Sequence, residues 1–235
     1  MHATTASDHD ETSAAHPSAA SAGQRFTDSL RDDNAANWQA VVEHRFVSEL
    51  FDGSIDDSVM SGYLIQDHRF LDGFLALIGA AVASADTLDA RLKLAAFAGD
   101  VAGDESTYFL RCFAKFGVSE ADRARIPDTA ATAGFKRVFQ DAADTRNYTI
   151  ILSVLLVSEW SYLSWAVRAP EQAPKSFVHA EWITLHDNPP FRELVEFLRS
   201  ELDRVGPTHA AEAREFFGRT VQLELDFFDQ SYEQR

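Results

Sequence analysis

The chain has 235 residues, 46% of them hydrophobic and 11% aromatic, with 18 Phe, so it can bury one sizeable core. Its 37 acidic and 21 basic side chains leave a net charge of −16, which disfavours a nucleic-acid or anionic-membrane surface. The single cysteine, Cys112, excludes an intrachain disulfide and a cysteine-based zinc site, and it fits a reducing, cytoplasmic setting.

Residues 1–24 are rich in Ala, Ser, Thr, His and Asp and hold neither the apolar run of a secretory signal nor an Arg before Arg25. They read as a disordered tail, with His2, His9 and His16 solvated rather than ligating. Residues 25–235 read as one all-α domain. A first helix is expected over about 26–50, stopped by Asp52-Gly53. A second opens at Asp56-Asp57 and runs to about 83, and a third spans about 86–116 with Gly117 as its cap. Ser119 reads as the N-cap of a short turn to Arg125. Further helices are expected at about 129–142, 146–168, 174–186, 190–204 and 208–232. The stretch Ile150 to Val157 is apolar all round, which marks a helix enclosed by others and is too short to span a bilayer. Strand-like alternation and internal repeats are absent from the sequence.

Four of these helical stretches carry a carboxylate inside an apolar stripe. Asp67 shares a face with Tyr63, Leu64, Phe70, Leu71 and Phe74, and Glu105 with Val101, Ala102, Tyr108, Phe109 and Cys112. Glu159 follows Leu152, Leu155 and Leu156, and Glu224 sits among Phe217, Val221, Phe227 and Phe228. Unpaired carboxylates on a core face are costly or shift their pKa upward, so four of them point to a polar pocket inside the bundle.

A carboxylate-bridged di-metal centre needs Glu-x-x-His pairs on two helices. Three residues after each acid stand Phe70, Tyr108, Tyr162 and Phe227 instead, so the expectation is a site without metal or cofactor, with His186 as the one inward imidazole. An aromatic-walled acid/base pocket remains, suited to amidine-like or aminopyrimidine ligands that pair with carboxylates. The competing account makes the acids structural partners of inward Arg69, Arg91 or Lys136.

Gln66-Asp67 within Tyr-Leu-Ile-Gln-Asp-His-Arg-Phe, Leu156-Val157-Ser158-Glu159-Trp160-Ser161-Tyr162, Trp182-Ile183, Phe191 and Glu224-Leu225-Asp226-Phe227-Phe228 resemble the TenA (thiaminase II) family. The resemblance runs from about Ala36 to Tyr232 and implies a heme-oxygenase-like (TenA-like) helical bundle, usually a homotetramer, that releases an amino group hydrolytically from an aminopyrimidine in thiamine salvage. By this resemblance Asp67 holds the pyrimidine edge, Glu224 moves protons, and Tyr162 belongs to the pocket wall. Ser158 stands where the better-known branch has its cysteine nucleophile. Phe70, Phe135 and His186 stand where that branch has tyrosines. These departures resemble the branch that lacks the cysteine, so Glu159 is expected to join Glu224 as the catalytic pair, with Glu105 and Tyr108 supporting the pocket. The expected ligand is pyrimidine-like, including formylamino forms, and self-association as a homotetramer or homodimer follows from the resemblance. Two other functions stay open: a non-heme iron oxidase on the same bundle, and a non-catalytic pyrimidine-binding or regulatory protein.

Overall fold

A computed structural model describes residues 23–233, apart from the side chain of Asp104. The expected tail lies, over residues 1–22 and their three histidines, outside the described residues. Every regular element among the described residues is helical, as expected: α1 (Phe26–Asp33), α2 (Ala35–Val42), α3 (Arg45–Asp52), α4 (Asp57–Ser84), α5 (Leu88–Asp100), α6 (Ser106–Phe116), α7 (Glu120–Arg125), α8 (Ala130–Thr145), α9 (Tyr148–Ala166), α10 (Phe177–His186), α11 (Pro189–Val205) and α12 (Ala210–Ser231). A π-helical turn, Val101–Glu105, links α5 to α6, and a 3₁₀ turn, Gly206–His209, leads into α12.

The helix stops and starts follow local chemistry. Gly53 and Gly117 adopt φ 67° at the ends of α3 and α6, a left-handed conformation that glycine takes without steric cost. Asp56 accepts from Ser58 N at 2.8 Å to open α4, and Ser119 with Asp122 forms a reciprocal capping box on α7. Asn188 accepts from Phe191 N at 2.9 Å, with Pro189 and Pro190 in the first turn of α11.

The stretch expected as one helix over 26–50 is broken twice. The Asn34 amide donates to Leu30 O at 2.8 Å and satisfies a terminal carbonyl of α1. At the second break, Nδ1 of His44 accepts from Phe46 N at 3.1 Å and caps α3. Each polar side chain offers the backbone a local partner that competes with helix continuation. The third expected helix is likewise interrupted, by the π turn between α5 and α6. Gly99 precedes this turn and Gly103 lies within it, positions where backbone freedom is greatest.

α9 is the central post of the bundle. Seventeen of its nineteen residues are buried, and it packs against α2, α4, α8, α10, α11 and α12. At 19 residues it has the length and apolarity of a spanning helix, yet 89% of its apolar window is covered by the rest of the chain. It is therefore the core helix that the all-round apolar pattern implied. α4 crosses it and also packs on α5, α6, α8 and α12. Around this crossing the four acids meet.

Candidate active site

The acids reach one place because three further elements bring theirs to the cavity beside α9. Asp67 comes from the middle of α4, Glu105 from the last residue of the π turn, Glu159 from α9 itself and Glu224 from α12. Together they line a cavity of about 30 Å³ whose other walls are Phe70, Phe74, Phe135, Ser158, Tyr162, Trp182, His186 and Phe227. That space admits about two waters. A second cavity, about 730 Å³, lies against the first. Glu105, Glu159 and His186 line both cavities, so these three side chains form the wall between them.

No lysine or arginine lines the inner cavity. Two of the three proposed structural partners are engaged elsewhere, Arg69 and Lys136 both pairing with Asp128 at 3.1 and 2.7 Å, and the third, Arg91, is exposed on α5. Arg69 also donates to the carbonyls of Arg123 and Ile126. Asp67 Oδ2 and Glu224 Oε1 are buried and have no hydrogen-bond partner, and neither has Ser158 Oγ. Asp67 and Glu224 are only 6% and 3% exposed. Groups this enclosed normally find a partner, and those that do not mark a functional pocket or an unmade contact.

Burial dominates the acid–base behaviour of the site. It raises the Asp67 carboxyl well above its ordinary value, reinforced by the charge of Glu105, while the Tyr63 hydroxyl works in the opposite direction. Burial likewise lifts Glu159, with Glu105 and Asp67 adding repulsion, and lifts Glu224, with Asp67 adding to it. Glu105 keeps some exposed surface, yet protein surrounds it and desolvation pushes it up to about 7. Like charges crowded into low dielectric cannot all ionise, so the group holds protons at neutral pH.

His186 behaves as a neutral group. Its burial pulls the imidazole down to about 4, and Nδ1 lies 2.8 Å from Trp182 O. A carbonyl only accepts, so Nδ1 carries the proton and Nε2 is left as an acceptor. Tyr162 packs on the imidazole at 4.7 Å between centroids and bonds the Tyr63 hydroxyl at 2.7 Å. On the opposite wall Phe70 makes edge contacts with Phe135 and Phe139 at 5.0 and 4.8 Å. The cavity is thus lined by aromatic rings and by the four acids.

Of the ten residues assigned to the site from sequence, the structure brings nine to the inner cavity; Tyr108 stands apart. Its hydroxyl donates to Val178 O at 2.6 Å and its ring stacks on Trp182 at 5.2 Å, so it reaches the cavity only through that indole. Phe74, Trp182 and Phe227 complete the lining without having been assigned a role. Helical spacing carried part of that signal, since Phe227 follows Glu224 by one turn. Gln66 serves the frame instead, bonding Pro127 O, Thr129 N and Thr132 Oγ1 at 2.9, 3.2 and 2.8 Å. Among the described residues no three His, Cys, Asp or Glu side chains are grouped so as to hold a metal ion.

A model of the TENA/THI-4/PQQC family matches residues 31–234. An aminopyrimidine aminohydrolase from Halalkalibacterium halodurans shares 23% identity over 217 residues, covering 89% of this chain and 96% of that protein. A TenA homologue from P. horikoshii superposes with a TM-score of 0.81 at 22% identity, covering 89% of this chain and 99% of that one. A putative TenA-like thiaminase from Sulfolobus solfataricus superposes with a TM-score of 0.75 at 18% identity, covering 88% and 96%. These neighbours have the same all-α bundle.

Proposed function

The chain belongs to the TENA/THI-4/PQQC family, and from that membership we propose that it is a thiamine-related hydrolase acting on an aminopyrimidine or its formylamino form. One observation carries the reading: four acids, three of them buried and two with unpartnered oxygens, close an aromatic-walled cavity that no lysine or arginine lines. A ring bearing adjacent amino and ring-nitrogen groups supplies the donors that such carboxyls lack, in paired charge-assisted bonds.

In this account Asp67 pairs with the amino and ring-nitrogen edge, and Phe70, Phe74 and Phe135 enclose the ring. Glu159 and Glu224 divide the proton work. One, ionised, takes a proton from water as its oxygen bonds to the substrate carbon. The other, held protonated by burial and by the charge of Asp67, gives its proton to the departing nitrogen as the carbon–nitrogen bond breaks. The products are an alcohol and ammonia, or an amine and formate for the formylamino form. His186 Nε2 accepts from the water or from the leaving amine, and Tyr162 fixes the imidazole by packing on it. Ser158 replaces the thiol of other family members. Its hydroxyl is near enough to the Glu224 carboxyl to oppose that group's upward shift but makes no well-formed hydrogen bond to it, so it is assigned to binding rather than nucleophilic attack.

Self-association as a homotetramer or homodimer and a cytoplasmic location complete the proposal. The test of the activity is ammonia and formate release from 4-amino-5-aminomethyl-2-methylpyrimidine and its N-formyl derivative. Turnover of either supports the reading, and turnover of neither removes it.

A further inference from the structure

We propose that the inner cavity takes its ligand as a cation, and that binding drives a proton off the acid wall formed by Glu105 and Glu159. This deepens the aminopyrimidine reading, on which it rests, by stating the charge in which that class is held. It extends to flat amidinium-like cations generally.

The charge inventory of the cavity is one-sided. From α4 comes Asp67, with Tyr63 beside it; from the π turn, Glu105; from α9, Ser158, Glu159 and Tyr162; from α10, His186; from α12, Glu224. α8 contributes only Phe135. The imidazole is neutral, with its Nδ1 proton given to a carbonyl, so no positive group lines the inner cavity with the four acids. Asp67 and Glu224 are each more than nine-tenths buried and each present an oxygen with no donor. Acceptors without donors in low dielectric favour a ligand that brings N–H groups and positive charge.

The approach has the same character. The outer cavity adds Asp100 and Glu193 to the two acids of the wall. Its one lysine, Lys93, pairs with Asp89 at 3.2 Å and lies 5.0 Å from the Phe197 ring. A ring does not fit the 30 Å³ of the inner space, so Glu105, Glu159 or His186 must turn aside as it passes. The acids of the wall therefore meet the ligand before Asp67 and Glu224 do.

Proton release follows from linkage. In the free protein, repulsion and desolvation keep most of the four carboxyls protonated. A bound cation reverses that balance, since an ionised carboxyl beside it is now favoured. The carboxyl O–H bond breaks, its proton passes to solvent, and the ligand keeps its own protons. A neutral ligand of the same shape leaves the carboxyls protonated and releases nothing.

Calorimetry on the full chain at pH 7 tests this with benzamidine, a flat cation, and benzamide, its neutral counterpart. Heats measured in phosphate and in Tris, which differ in ionisation enthalpy, count the protons released. The expected result is about one proton released per benzamidine bound. Benzamide is expected to bind at least about tenfold more weakly. Glu105→Gln and, separately, Glu159→Gln should each lower the proton count. Equal heats in the two buffers, benzamide binding as tightly as benzamidine, or no binding of benzamidine overturns the proposal. Buffer-dependent benzamidine binding without aminopyrimidine hydrolysis would instead overturn the proposed activity and leave this inference standing.

Discussion

Tyr63 and Tyr162 join hydroxyls at 2.7 Å, and this single bond ties α4 to α9 beside the acids. Tyr162 lines the cavity and Tyr63 does not, so the outer tyrosine positions the inner one. Tyr63→Phe leaves a buried hydroxyl on Tyr162 without its partner, at a cost of about 1–3 kcal/mol. The melting temperature should fall and KM for the aminopyrimidine should rise more than kcat drops. Thermal unfolding and steady-state kinetics on the same preparation check both.

Gln66 connects α4 to the start of α8 through three bonds, to Pro127 O, Thr129 N and Thr132 Oγ1. Its neighbour Asp67 faces the cavity, so the two residues split framework and chemistry between adjacent positions. Gln66→Ala orphans buried partners and is expected to cost about 2–4 kcal/mol, read by urea unfolding. An unchanged midpoint would show that these bonds carry no stability.

The acids make stability fall as pH rises. For Glu105 the unfolded carboxyl titrates near 4.5 and the folded one near 7. Between those values the folded state binds more protons than the unfolded state, so stability is fully present below about 4.5 and is lost as pH climbs through 7. Asp67, Glu159 and Glu224 act in the same direction. His186, lowered to about 4, acts oppositely and loses stability as pH falls from 6.5. Glu105→Gln removes one penalty, so its melting temperature relative to wild type should increase steadily from pH 5 to pH 8. A constant offset over that range would contradict the assignment.

Ser158 Oγ is buried and makes no well-formed hydrogen bond, and the proposed function gives it a binding role rather than that of a nucleophile. Ser158→Ala is expected to retain activity within about tenfold, because an unactivated hydroxyl contributes binding at most. A loss as large as that of a catalytic acid would make Ser158 a nucleophile.

The helical class and the acid cluster were legible because both rest on period. Asp67, Glu159 and Glu224 each interrupt an apolar stripe at three- and four-residue spacing, and α9 is apolar on every side. The breaks at Asn34 and His44 were not legible, since both residues sit within otherwise helical patterns and cap only once the chain has turned. The π turn that carries Glu105 was not legible either: Gly99 and Gly103 loosen the backbone there without specifying a turn, and Asp100 and Ser106 on its two sides keep ordinary helical dihedrals. Trp182 was visible as a family-like residue, yet its place in the cavity wall depends on how α10 docks against α9. Tyr108 followed the stripe of Glu105 but was drawn away by the Val178 carbonyl, a partner seventy residues distant.

Glu224 is the most direct point of attack on the whole account. The decisive measurement is kcat for ammonia release from 4-amino-5-aminomethyl-2-methylpyrimidine by wild type and Glu224→Gln, with melting temperatures matched to show an intact fold. Removing a proton-transferring acid should lower kcat by about 10²–10⁴-fold. Substrate binding should be preserved through Asp67. Wild-type turnover that survives unchanged in Glu224→Gln would contradict the assignment of proton transfer to this carboxyl, and with it the claim that the buried acids do the chemistry.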